Sequence, residues 1–171
     1  MASKDIQLMA HLMRRAGFGA PYEELEERTA KGYEATVEEL LRAEEKPDWE
    51  EDIARRHLIG GHLGNAMPEI QGYWMQRMIS TTRPLREKMT LFWHTILCSG
   101  DKIDHPETMD AHIDMVRENA LGRYPDLLTA LSRDPGMIIY LDNRYSHKDS
   151  INENYGRELL ELFSMGVGNY T

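Results

Sequence analysis

Apolar residues recur at steps of three or four along almost the whole chain, which is the period an α-helix imposes. The clearest case is Leu85, Met89, Phe92, Trp93, Ile96 and Leu97, at offsets 0, 4, 7, 8, 11 and 12. That stripe is wide enough for a helix buried against several neighbours. Ile6, Met9, Met13 and Ala16 repeat the pattern near the start, with Gly17 and Gly19 as a stop. Pro21 suits the first position of a second helix carrying Leu25 and ending near Gly32, and Val37, Leu40 and Leu41 mark a third. A further helix is expected around Ile53 and Leu58, broken by the glycines between 60 and 64.

Ile70, Tyr73, Trp74, Arg77 and Met78 predict a helix that runs out before Pro84, which opens the next one. Asp104 can cap the following helix, with Pro106 in its first turn and Met109, Ile113, Val116 and Ala120 facing inward. Segments 124–132 and 135–141 read as shorter helices, although Met137 to Leu141 is also of strand-like length. Asn152 is a cap for the last helix, whose apolar face is Tyr155, Leu159, Leu162 and Phe163, with Gly166 as its left-handed stop. No alternating run competes as a strand. The expectation is an all-α, irregular multi-helix array rather than a simple four-helix bundle, with Trp74, Phe92, Trp93, Met109, Val116, Leu128, Leu159 and Phe163 buried together.

Composition changes little along the chain, so residues 1–171 read as a single helical region with a soft boundary at the charged connector 44–51. A net charge of -9 argues against nucleic acid as a partner. No run approaches 18 consecutive apolar residues, so no membrane span is expected. Cys98 is the only cysteine, which excludes an intrachain disulfide and suits a reducing compartment. At the end of an apolar helical run it reads as a small buried hydrophobe. The N-terminus lacks a secretory pattern, so the default location is cytoplasmic, and periplasmic is the alternative if a leader has been lost.

Three segments carry a resemblance: HLMRRAGFG from His11 to Gly19, RPLREKMTLFWH from Arg83 to His94, and NENYGRELLELFSMGVGNYT from Asn152 to Thr171. DPGMIIYLDN, from Asp134 to Asn143, agrees in order and spacing. The set resembles the bacterial domain-of-unknown-function 1800 family. Its members are considerably longer, which implies an N-terminal fragment of a larger family domain. The family carries no assigned reaction. The resemblance also implies a co-encoded protein with a sulfatase-like fold as a partner, and export of many members. Where the family often has a second histidine after Phe-Trp-His, this chain has Ile96.

Three groups of residues are candidates for chemistry. Asn154, Glu158 and Glu161 lie at offsets 0, 4 and 7, so one helix flank carries an amide and two carboxylates, with Arg157 between them. Two close carboxylates can divide acid and base roles. The same residues also read as a capped, salt-bridged helix, with Arg157 pairing at i, i+4 to Glu153 and Glu161. Gly156 beside that flank leaves room for a ligand or a second backbone. No metal site is expected, because the candidate ligands His94, His105 and His112 include no local chelating pair. His105 and His112, seven positions apart on one helix, are separated by about 10 Å along its axis.

Arg14 and Arg15, beside Gly17 and Gly19, are a candidate anion-binding corner, and also a plain helix C-terminus with favourable charges. No Gly-x-Ser-x-Gly elbow or phosphate-binding loop is present, and the sequence names no cofactor. Two functions follow. One is part of a hydrolytic enzyme whose site includes the polar helix 152–161. The other is a noncatalytic helical binding or assembly module acting beside a separate enzyme.

Overall fold

The computed structural model describes residues 2–47, 67–100, 103 and 105–170. Among these residues the fold is all-α, an irregular array of helices without a strand. In chain order they are α1 (Ala2–Arg15), α2 (Tyr22–Lys31), α3 (Tyr33–Leu41), α4 (Met67–Ser80), α5 (Pro84–Ile96), α6 (Pro106–Asn119), α7 (Tyr124–Leu131), α8 (Pro135–Tyr140) and α9 (Asn154–Glu161). Short 3-10 turns cover Ala43–Glu45 and Asn143–Tyr145. The expected helix at Ile53 and Leu58, the glycines between 60 and 64 and the Asp104 cap lie outside the described residues. The contacts divide the chain into two compact units, Met1–Lys88 and Met89–Thr171, and the division falls within α5.

In the first unit, Met9 and Met13 of α1 pack with Leu25 of α2 and Leu40 of α3, and Leu85 joins them. Gly32 links α2 to α3 with a φ of 106°, a conformation glycine adopts without the Cβ penalty. The link between α4 and α5 is polar but buried. Arg77 donates to Glu87, and Trp74 donates from its indole nitrogen to the other oxygen of the same carboxylate.

The second unit is built around Leu97, Leu127, Leu131, Met137, Leu141 and Phe163. Trp93, Leu128, Tyr155 and Leu159 pack against these residues. Trp93 stacks on Tyr124 with centroids 5.1 Å apart and donates its indole N–H to Ala120 O at 3.0 Å. Four of the eight residues expected in one core, Trp93, Leu128, Leu159 and Phe163, do meet here, and Val116 is fully buried.

Other expectations fail for local reasons. Phe92 is 48% exposed, because burial of Trp93 and Leu97 turns the outer edge of the α5 stripe to the surface. Cys98 is exposed rather than buried, while Leu97 beside it enters the core. Leu162 is exposed just past the end of α9, while Phe163 after it is the residue that enters the core. Met137 to Leu141 resolves as helix, because Asp134 accepts the Met137 N–H and Pro135 fills the first position.

Candidate functional site

Helix α9 carries the densest polar flank, and its start is fixed by amides. Asn152 donates from Nδ2 to Asp142 O at 2.9 Å and to Leu141 O at 3.3 Å, satisfying carbonyls left over at the end of α8. Its Oδ1 accepts the Asn154 N–H at 2.8 Å, so Asn152 caps the turn from one residue before Glu153, which precedes the first turn. Gly166, at φ 87°, closes the far end by donating to Leu160 O at 3.0 Å.

Arg157 pairs differently from the helical spacing rule. Its Nη2 donates to Asn154 Oδ1 at 2.6 Å and to Glu158 Oε1 at 3.0 Å, in place of Glu153 and Glu161. The hydrogen bond to Glu158 raises the Arg157 pKa above its ordinary value. Glu161 instead accepts from the Tyr170 hydroxyl, and that bond raises the Tyr170 pKa. The two carboxylates of the flank therefore have separate partners.

Asn154 and Glu158 line a pocket of about 320 Å³ together with Cys98, Tyr140 and the apolar Ile96, Leu141 and Phe163. The Glu158 side chain is only 18% exposed, so it belongs to the wall rather than to open surface. Local spacing placed Asn154 and Glu158 on one flank. Cys98 and Tyr140 were missed as pocket residues, because only the tertiary fold brings the end of α5 and α8 to α9. Gly156 meets no atom within 4 Å of a Cβ position, so the close approach expected there is absent among the described residues.

The histidines are sorted by the fold. His105 is exposed at the start of α6. His112 of α6 is fully buried, and its Nδ1 donates to Asp134 Oδ2 at 2.8 Å. His94 of α5 lies beside it, with ring centroids 5.7 Å apart. Burial pushes the His94 pKa down to about 4, and His112 adds to the shift. Asp134 was missed as a site residue, although Asp-Pro-Gly before an apolar run is a readable helix start. Among the described residues no three His, Cys, Asp or Glu side chains gather as metal ligands.

Arg14 and Arg15 are both exposed at the end of α1. A larger pocket of about 800 Å³ lies in the same unit and is lined by Phe18, Gly19, Arg28 and Lys46 among others, but by neither of those arginines. Its cations are already engaged, Arg28 with Glu24 and Lys46 with Glu39. The hydrogen bonds from Lys31 and Lys46 hold the Glu39 carboxyl down at about 2.

No described helix is long and apolar enough to cross a membrane. No curated protein and no solved structure matches the chain. A family model described as a protein of unknown function, DUF1800, matches residues 11–171. That match covers nearly the whole chain and includes α9 with its polar flank, and the chain therefore belongs to the DUF1800 family.

Proposed function

We propose that this chain contributes to a hydrolytic site in which Glu158 is the general base. The observation that carries the reading is that Glu158 and Asn154 share the wall of a pocket whose other walls are mostly apolar. A carboxylate placed there takes a proton from water as the water oxygen attacks a polarised carbon or phosphorus. Asn154 uses one Nδ2 proton toward Leu141 O at 3.4 Å and has a second for a substrate oxygen. Arg157 bridges Asn154 and Glu158 and acts as a positioning residue. Glu161, tied to Tyr170, anchors the turn after the helix.

The test is a panel of chromogenic ester, amide, phosphoester and glycoside substrates, with native protein and Glu158→Gln side by side. Turnover lost in Glu158→Gln at unchanged Tm supports the reading. Equal turnover by both proteins removes Glu158 from the chemistry.

The second reading, a noncatalytic binding or assembly module acting beside a separate enzyme, is favoured by a different feature. Ile151 before α9 and Leu162, Met165 and Val167 after it are all exposed, apolar surface of the kind that partners cover. No turnover of any of the four substrate classes, with Leu162→Ser abolishing binding to a co-encoded protein, selects this reading.

A further inference from the structure

His94 and His112 stand eighteen positions apart in the chain and meet as neighbouring rings on α5 and α6. The two nitrogens of His112 are in contrasting states. Nδ1 donates to Asp134, while Nε2 is equally buried and has no hydrogen-bond partner among the described residues. In the tautomer that donates from Nδ1 to Asp134, Nε2 carries a lone pair. A carboxylate on one ring nitrogen with a free lone pair on the other is how metal-binding histidines are oriented.

The shell behind His112 is built tightly. Asp134 Oδ2 also accepts the Met137 N–H at 2.7 Å. A Cβ at Gly136 would lie 3.0 Å from that oxygen and 3.3 Å from His112 Cβ, so a side chain there would crowd both. Metal–nitrogen bonds of about 2.0–2.1 Å at a tetrahedral angle put two imidazole centroids roughly 5.2 Å apart. The observed centroids are 5.7 Å apart with the ring planes at 60° to each other, a separation close to that value.

We propose that His94 and His112 are the two protein ligands of a site for a divalent transition-metal ion of the zinc class, with Asp134 orienting His112. Imidazole nitrogens suit zinc, cobalt, nickel and copper. The site is independent of the pocket at α9.

The test titrates Zn²⁺ into the metal-free full chain by calorimetry, with Co²⁺ absorption as an optical reporter and ¹⁵N shifts of the His112 ring as a local one. The expected result is one ion per chain, a raised Tm, and a moved Nε2 resonance. His94→Gln should lose the ion, and Asp134→Asn should weaken binding 10- to 100-fold. Failure of native protein to bind at millimolar Zn²⁺ overturns the proposal. Binding that survives His94→Gln is surface histidine binding and overturns it equally. Should Asp134→Asn fail to fold, an Nε2 resonance that Zn²⁺ leaves in place in the native chain is decisive against the site.

Discussion

Arg77 donates from Nε to Glu87 Oε1 at 2.8 Å, and the two side chains are only 4% and 1% exposed. Trp74 Nε1 donates to the remaining oxygen, Oε2, at 3.2 Å. A buried carboxylate left without its cation is strongly destabilising. Arg77→Met should therefore cost about 3–5 kcal/mol in urea unfolding. The double variant Arg77→Met with Glu87→Leu removes both charges and should recover much of that loss.

Phe92 and Trp93 are adjacent but unequal. Trp93 stacks on Tyr124, caps the Ala120 carbonyl and packs against the core of the second unit, whereas Phe92 is nearly half exposed. Trp93→Ala should cost roughly 3–5 kcal/mol, and Phe92→Ala only about 1 kcal/mol. Urea denaturation of the two variants measures the contrast directly.

The α5 stripe shows what periodicity can carry. Spacing located the helix, its proline start and most of its apolar residues, because those depend on neighbours three and four positions away. It put Phe92 inside and left Glu87 and Thr90 out of the apolar set. Glu87 and Thr90 are in fact buried, since Arg77 and Trp74 reach the Glu87 carboxylate from another helix. A hydropathy pattern does not register a charge neutralised from a distance. The same holds at the candidate site. The α9 flank was legible from spacing within one helix, while the Cys98 and Tyr140 walls and the meeting of His94 with His112 arise from tertiary packing.

Acid should weaken the fold through His94. Burial, with His112 adding, lowers its folded-state pKa from 6.5 to about 4, so between those values the unfolded chain binds the extra proton. The stabilising contribution is complete above the unfolded value and is lost as pH falls toward the folded one. The slope is at most roughly 1 kcal/mol per pH unit in that window. Urea midpoints at pH 7 and pH 5 should differ by less in His94→Gln than in the native chain.

Gly156 is exposed inside α9, and a side chain there would meet nothing. Its backbone is not in the left-handed region, so glycine contributes only conformational freedom to the unfolded chain. Gly156→Ala should raise stability by about 0.5–1 kcal/mol, measured by urea unfolding. If the substitution lowers hydrolysis without lowering stability, a substrate must pass over that face of the helix.

Glu158 has one hydrogen-bonding side-chain partner among the described residues, the exposed guanidinium of Arg157. With Arg157 more than half exposed, solvent screens the pair and it adds little to the fold. Glu158→Gln keeps the size of the side chain and an oxygen that can still accept from Arg157, so the Tm should hardly move. A general base contributes typically about 10²- to 10⁴-fold to a rate, and the amide cannot take the proton. Turnover per folded molecule should fall by that factor while KM stays near its native value. Arg157→Gln separates positioning from chemistry. It leaves the carboxylate in the pocket but frees Asn154 and Glu158 from their common tether, so it should lower kcat less than Glu158→Gln does. Equal losses in the two variants would mean that the tethered arrangement, rather than the base alone, carries the rate.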